Sequence, residues 1–334
     1  MITKNKVTIR NVAQEAGVSI STVSRVFNSP ERVSKEKRER ILNVIERLGY
    51  VPKPAARELA RKEVGQICVI APFFTVPSFT QRLRGIASSL VDTPYDLITY
   101  TVDSLARLQG YYIKLSLANR LDGLIVMSLP IDETEVLRFK NANIPTVFIE
   151  NRVSGFSSIE IDDLQGGKIA AEHFIEKGHT RCAFMGNMVT TDYALSPDTK
   201  RLEGYRSILL ENGLNLPDEY IKFIEFPPEG LEGYISELLF QNNPPTAIFA
   251  ASDHIAMNIL KFARKKKIRV PEDLAVIGFD DIETANYLDL TTISQSLDQS
   301  GEFAVELLLA QMSDPNRPTQ NINLQLKLIE RGTT

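Results

Sequence analysis

Residues 8–28 read TIRNVAQEAGVSISTVSRVFN, and this stretch decides the fold of the N-terminal end. Its apolar residues recur at helical spacing on both sides of Gly17, which predicts two short amphipathic helices joined by a tight turn. Thr8 and Ser19 are residue types that cap helix N-termini, so they mark the two helix starts. The apolar positions that can form a small core are Ile9, Val12, Ala13, Ala16, Val18, Val23 and Val26. The pattern predicts a helix-turn-helix whose second helix can lie in the major groove of DNA.

A third helix is expected to complete that core. It runs from Ser34 to about Leu48, because an apolar stripe at helical spacing ends just before Gly49, a residue type that favours helix C-termini. The stripe consists of Ile41, Val44, Ile45 and Leu48. Residues 1–52 are therefore expected to form an all-α domain.

The charge of the chain is distributed unevenly. Its 334 residues include 38 Lys and Arg against 42 Asp and Glu, a net charge of −4. Residues 1–63 contain 14 basic and 7 acidic residues, so the remainder carries a net charge of −11. A basic head on an acidic body is typical of a protein that binds nucleic acid through one end. The alternative is a solvated charged extension, but such segments lack core spacing and helix caps.

Residues 7–61 resemble the DNA-binding head of the lactose-repressor/galactose-repressor family of bacterial transcription regulators, and the similarity covers nearly the whole chain. The residues that carry it are Thr8, Val12-Ala13, Ala16-Gly17-Val18-Ser19, Thr22-Val23-Ser24-Arg25-Val26 and Asn28, followed by Gly49-Tyr50-Val51-Pro52 and Ala56-Arg57-Glu58-Leu59-Ala60. The resemblance implies DNA contacts from Thr8, Ser19, Ile20, Ser21, Thr22, Ser24, Arg25, Asn28, Ala56 and Leu59.

The predicted second helix contains residues with different roles. Arg25 matches a base-reading arginine of the family, and an arginine in the major groove prefers guanine because its two donors fit O6 and N7. Ile20 and Ser21 match positions that vary with the DNA sequence that is recognised. The other polar residues are interpreted as contacts to the DNA backbone. Thr8 and Ser19 serve equally well as helix caps.

Residues 53–63 match the family's hinge. Pro52 and Pro54 end the preceding helix, and the stretch from Pro54 to about Lys62 is short enough to be a marginal helix in water. The resemblance implies that two such helices of a dimer fold against the minor groove, where Leu59 wedges between base pairs. The alternative is a linker in which Leu59 packs on the body.

Residues 64–334 are expected to form an α/β body. Apolar runs of strand length alternate with helical patterns, which indicates two doubly wound parallel sheets covered on both faces. The resemblance implies a periplasmic-binding-protein-like body with three crossovers, placed near Asp162, near residues 292–296 and near residues 320–324. The N-subdomain then comprises about 64–162 and 296–322, and the C-subdomain comprises about 163–293 and 323–334.

A small-molecule effector is expected at the carboxyl ends of the strands, where ligands bind to open parallel sheets. Asp253 and Asp280 follow predicted strands, Arg201 opens a motif that resembles a cleft motif of the family, and Phe79 precedes the first body helix. Carboxylates and guanidinium groups suit vicinal hydroxyls, so a sugar or sugar phosphate is the expected effector. The alternative for Asp253 is that it caps the next helix. The loop at residues 73–78 lacks the acidic and amide residues common in the family, which predicts a more apolar cleft wall.

Other chemistry is sparse. Cys68 and Cys182 lie in predicted strands of different subdomains, and the three histidines are scattered, so neither a metal nor a cofactor nor a catalytic set is expected. We find no targeting signal and no membrane-spanning stretch, which predicts a cytoplasmic protein. No heptad extension follows the body, so a homodimer that reads double-stranded, near-palindromic operator DNA is expected.

These patterns predict a repressor of carbohydrate-utilisation genes that a sugar or sugar phosphate releases from its operator. The alternative function is a catabolite-control-type regulator that a phosphoprotein or corepressor activates. An enzyme or transport-type sugar binder with an appended head is a more distant alternative.

Overall fold

The computed structural model of the chain describes residues 7–28, 32–50, 65–117, 121–188, 191–225 and 230–334. The chain divides into two compact units, Met1–Val64 and Gly65–Thr334, which we call the head and the body. The predicted hinge residues Ala56 and Leu59 lie outside the described residues, as does the side chain of Asn28.

The described residues of the head form three helices, as predicted. Its helices are α1 (Ile9–Glu15), α2 (Ile20–Asn28) and α3 (Lys35–Leu48). Val12, Val23 and Ile41 are completely buried at the centre of its core, one from each helix. α3 ends at Gly49, which adopts a left-handed conformation with φ of 61° and returns its N–H to the last turn.

The body consists of two six-stranded sheets with helices on both faces. The strands are β1 (Gln66–Pro72), β2 (Asp96–Val102), β3 (Gly123–Met127), β4 (Thr146–Ile149), β5 (Ser157–Ile161), β6 (Cys182–Met188), β7 (Ile221–Glu225), β8 (Ala247–Ala250), β9 (Ala275–Asp280), β10 (Thr292–Ser294), β11 (Asn321–Leu324) and β12 (Lys327–Ile329). The helices are α4 (Pro77–Leu90), α5 (Leu105–Leu117), α6 (Glu133–Ala142), α7 (Asp163–Glu176), α8 (Asp198–Glu211), α9 (Leu231–Leu239), α10 (Asp253–Lys266), α11 (Glu283–Tyr287) and α12 (Leu297–Ser313).

The N-subdomain sheet has the order β11-β5-β4-β3-β1-β2, and every pairing in it is parallel. Successive residues of β1 enter different cores: Ile67 and Val69 pack on one face of the sheet, and Cys68 and Ile70 on the other. A strand that buries both faces must be apolar throughout, which explains the continuous apolar runs in the sequence.

The C-subdomain sheet has the order β12-β10-β9-β8-β6-β7. Its pairings are parallel except that β12 runs antiparallel to β10, so the expectation of purely parallel sheets is wrong at this edge. The reason is the third crossover, which brings the chain to the edge in the direction opposite to β10.

Three connections join the subdomains. The chain crosses at Asp162 between β5 and α7, at residues 295–296 between β10 and α12, and at residues 325–326 between β11 and β12. The third crossover follows the expected position near 320–324, because Asn323 and Leu324 still pair with Glu160 and Ile161 of β5.

Candidate functional site

The exposed face of α2 carries the residues predicted to read DNA. Ile20, Ser21 and Arg25 are exposed, while Val23 and Val26 are buried in the head core. Ile20 exposes 44% of its surface in the folded head, so a large part of this apolar side chain is accessible to a partner. Thr22 and Ser24 are half-buried on the same helix.

The Ser19 side chain caps α2 as predicted, and Thr8 occupies the N-cap position of α1. Ser19 Oγ accepts a hydrogen bond from the N–H of Thr22 at 3.2 Å and lies 2.8 Å from Ser21 Oγ. The N–H of Thr8 donates to Asn11 Oδ1 at 2.9 Å, and the Thr8 hydroxyl donates to the same atom. Thr8 and Ser19 are nevertheless exposed, so their side chains remain accessible to a partner.

A cavity of about 260 Å³ lies between the carboxyl ends of the two sheets. It is lined by residues of both subdomains, including Phe79, Arg201 and Asp280 as predicted from the sequence. The cavity also contains Arg82, Glu150 and Gln295, which sequence reasoning missed. The structure thus brings three of the four predicted effector residues together.

Asp253 is the exception. Its completely buried carboxylate accepts hydrogen bonds from the N–H of Ile282 at 2.9 Å and from the Thr292 hydroxyl, and it does not line the cavity. The expectation that Asp253 caps α10 is also wrong by one residue, because Ser252 is the N-cap and accepts from the N–H of Ile255. Asp253 instead connects α10 to Ile282, in the loop after β9, and to Thr292, the first residue of β10.

Arg82 organises the N-subdomain side of the cavity. Its guanidinium forms an ion pair with Glu150 and donates to Gln295 Oε1 at 2.7 Å and to Ser300 Oγ at 3.1 Å. The Ser128 hydroxyl donates to the other oxygen of Glu150. Burial alone would raise the pKa of Glu150, but Arg82 and Ser128 outweigh it and hold the pKa below its usual value, so this carboxylate is ionised.

Arg201 has the corresponding place in the C-subdomain. Its Nε donates to Asp163 at 2.9 Å, and its Nη1 donates to the carbonyl of Ala251 at 2.6 Å and lies 3.7 Å from Asp198. The guanidinium plane stacks on the ring of Phe279, 3.6 Å from its centroid. These contacts fix the guanidinium in one orientation, as recognition of hydroxyls requires.

Asp280 joins the two sides. Its Oδ1 accepts from the Gln295 side-chain amide, and Gln295 in turn bonds Arg82. Burial raises the pKa of Asp280 from 3.8 to about 7, although Arg201, Arg82 and the Gln295 amide act in the opposite direction. The carboxyl therefore changes its charge near neutral pH.

One wall of the cavity is apolar, as predicted. The rings of Phe73 and Phe79 meet edge to face at 6.2 Å, and Tyr193 of the C-subdomain lies 6.3 Å from Phe73. The segment of Tyr193 also bonds across the cleft, because the N–H of Leu195 donates to the carbonyl of Ser128 at 3.1 Å. An aromatic wall suits the apolar face of a sugar ring.

Strained backbone is concentrated at this cavity. Phe73, Ser128, Glu150 and Asp280 all line it, follow or end strands, and have positive φ angles of 47°, 54°, 64° and 119°. Such conformations cost of order 1–3 kcal/mol each in non-glycine residues and cluster at functional sites. The strained residues and the buried charged residues therefore line the same cavity.

The signal for Arg82 was present in the sequence. Phe79, Leu83, Ile86 and Leu90 form the buried stripe of α4, and Arg82 lies on that stripe although it is charged. Its side chain is only 2% exposed, which a lone guanidinium does not tolerate without anionic partners. A charged residue on a core-facing stripe is therefore a usable indication of a buried polar site.

Close helix crossings hold both arginines in place. A Cβ at Gly301 of α12 would lie 2.8 Å from the backbone nitrogen of Ile86 on α4, the helix of Arg82. A Cβ at Gly167 of α7 would lie 2.6 Å from the nitrogen of Tyr205 on α8, the helix of Arg201. Each subdomain thus requires a glycine where its arginine-bearing helix is crossed.

The described ranges contain neither a candidate metal site nor a membrane-spanning helix. No group of three or more His, Cys, Asp or Glu side chains there could hold a metal ion, and both cysteines are buried and free. No helix in the described part of the chain is long and apolar enough to cross a bilayer.

Comparison with known proteins matches both units. Residues 8–53 match the family described as bacterial regulatory proteins, lacI family, and residues 171–334 match the periplasmic binding protein-like domain. The chain is 31% identical to the ribose operon repressor of Escherichia coli (strain K12) over 98% of this chain and 99% of that protein. It is also 31% identical to the catabolite control protein A of Priestia megaterium, again over 98% and 99%.

Solved structures are also similar to this chain over nearly its whole length. The lac repressor dimer bound to operator and the anti-inducer ONPF superposes with a TM-score of 0.79 at 27% identity, covering 99% of each chain. A complex of the transcriptional regulator CelR with cellobiose gives a TM-score of 0.69 at 26% identity, covering 98% of this chain and all of that one. The protein therefore belongs to the lacI family of bacterial DNA-binding transcription regulators, and its head and body are the two parts of that architecture.

Proposed function

We propose that this protein is a homodimeric repressor of carbohydrate-utilisation genes, released from a palindromic operator by an uncharged sugar. The observation that carries the proposal is the cavity in which guanidinium and carboxylate groups from both subdomains face one another beside an aromatic wall. Alternating donors and acceptors around an apolar face fit the hydroxyls and ring of a sugar.

The charges favour an uncharged sugar over a sugar phosphate. Arg82 is paired with Glu150, and Arg201 is paired with Asp163 and lies near Asp198. Among the described residues that line the cavity, the Arg, Lys, Asp and Glu side chains are these two arginines, Glu150, Asp198 and Asp280, so both guanidinium groups have carboxyl partners. A phosphate dianion would meet repulsion there instead of an unpaired cation.

DNA contacts are assigned to the exposed side of α2. Arg25 reads a guanine, Ile20 makes an apolar contact and Ser21 a polar one, while Thr8, Ser19, Thr22, Ser24 and Asn28 contact the DNA backbone. Support comes from the exposure of α2 and from the basic head. Ala56 and Leu59 are assigned to minor-groove contact by the resemblance to the family.

Regulation follows from differential binding. A sugar that bridges the two sheets favours one angle between the subdomains, and it lowers operator affinity by the ratio of its affinities for the two states. Regulation by a corepressor or a phosphoprotein is the second candidate, and the similarity to catabolite control protein A favours it. Because the relatives are transcription regulators, we also propose that this protein is cytoplasmic and has no enzymatic activity.

A thermal-shift screen tests the proposal. The full chain is heated with D-ribose, D-glucose, D-galactose, D-fructose or cellobiose, and each sugar is compared with its phosphate where one exists. We expect one uncharged sugar to raise the melting temperature, because a ligand that binds only the folded state stabilises it by mass action. A shift from the phosphates alone, or from none of the panel, would contradict the proposal. A sugar that binds without changing operator affinity would favour the second candidate.

A further inference from the structure

Gln295 lies where the chain crosses between the subdomains for the second time. It follows β10 of the C-subdomain and precedes α12, which packs on α4 and on the N-subdomain sheet. Its neighbour Ser296 has a positive φ of 51°, so the crossover backbone is strained. The side chain of Gln295 is nevertheless 2% exposed and lines the cavity.

The amide of Gln295 bonds one charged group from each subdomain. Its oxygen accepts from Arg82 Nη2 at 2.7 Å, and its nitrogen donates to Asp280 Oδ1. Arginine can only donate, so the bond to Arg82 fixes the orientation of the amide and leaves its nitrogen to donate to Asp280. The residues bonded through the amide are far apart in sequence, 213 positions for Arg82 and 15 for Asp280.

This amide completes a chain of hydrogen bonds and ion pairs across the cleft. The chain runs from Ser128 through Glu150, Arg82 and Gln295 to Asp280, from the carboxyl end of β3 to that of β9. A ligand that bonds Asp280 Oδ1 or Arg82 Nη2 must either share that atom with Gln295 or displace it. Either event acts on the crossover backbone through a single side chain.

We propose that Gln295 is the positioning residue that couples sugar binding in the cavity to the angle between the two subdomains, and hence to operator affinity. The inference rests on the proposed function. Gln295 transmits occupancy because it lies on the crossover and bonds both sides, whereas Arg201 and Glu150 each belong to one side. Its removal should separate binding from regulation.

The test uses the full chain with Gln295→Met and Gln295→Glu. Methionine keeps the length of the side chain without its hydrogen bonds, and glutamate keeps the bond to Arg82 but loses the donor to Asp280. The control is Gln299→Glu on the exposed face of the same helix α12. For each variant, one measures the affinity for the sugar identified in the panel above, and operator affinity with and without that sugar.

We expect the change in operator affinity caused by saturating sugar to fall about tenfold in both Gln295 variants, a typical coupling ratio, with sugar affinity measured separately to ensure saturation. Gln299→Glu should retain both properties. Full coupling in both Gln295 variants, loss of sugar binding, or the same loss of coupling in Gln299→Glu would overturn the inference. Failure of both Gln295 variants to fold would do so too, since Gln295 would then be needed for stability. Absence of sugar binding by the wild type would contradict the proposed function itself, and the inference with it.

Discussion

The substitution Gly167→Ala tests whether close helix crossing positions Arg201. The new Cβ would lie 2.6 Å from the nitrogen of Tyr205 and closer still to the carbonyl of Arg201, whereas ordinary contacts begin near 3.4 Å. α7 and α8 must therefore separate by at least about 0.8 Å, which overpacks a core at a cost of about 1–3 kcal/mol. Alanine recovers about 1 kcal/mol of helix propensity. We expect a net loss of up to about 2 kcal/mol.

The matched control is Gly110→Ala, another helical glycine, at which an added Cβ meets nothing within 4 Å. It should stabilise the protein by about 1 kcal/mol, since only the propensity changes. In thermal unfolding followed by circular dichroism, each kcal/mol corresponds to about 2–4 °C for domains of about 150–250 residues. Gly167→Ala should also weaken sugar binding about tenfold, because Arg201 moves with α8. The reasoning is refuted if Gly167→Ala melts at or above the wild-type temperature.

Two further predictions concern charge. Arg25→Ala should reduce the preference for operator over random DNA by about 1–3 kcal/mol. Arg38→Ala on α3, the control, should weaken binding to operator and to random DNA about equally. Both affinities are measured by anisotropy titration, and unchanged selectivity in Arg25→Ala would show that Arg25 does not read a base. Sugar affinity should rise about tenfold from about pH 6 to about pH 8, because the pKa of Asp280 is raised to about 7 and only its ionised form accepts hydrogen bonds from hydroxyls on both oxygens. Calorimetry should find the pH dependence lost in Asp280→Asn, and an affinity that is flat or falls over this range would count against the assignment.

The sequence predicts features that depend on near neighbours. Ser19 and Gly49 act within one helical turn, so their caps could be recognised from residue type and spacing alone. The body strands that are buried on both faces were predictable for a related reason, since such burial requires an unbroken apolar run, as in β3, which is buried throughout. Helix α6 gives a weaker sequence signal, because Phe139 is its only completely buried side chain and its apolar periodicity is slight.

The cavity could be predicted only in part, because its geometry depends on residues far apart in sequence. Asp280 follows from the rule that strand ends meet and Arg201 from the resemblance to the family, but the rule does not say which strand-end carboxylate faces the cavity. Asp253 is bonded to Thr292, 39 positions away, and to the backbone of Ile282. Such partners become visible only when the sheet order is known.

A single titration measures directly how strongly sugar binding changes the affinity of this protein for its operator. A palindromic operator is first selected from random oligonucleotides with the full chain, and its affinity is then measured by anisotropy with increasing amounts of the sugar that stabilises the protein. We expect saturating sugar to weaken operator binding at least about fivefold, which is the lower end of typical allosteric coupling. Operator affinity that stays constant across the whole titration would contradict it.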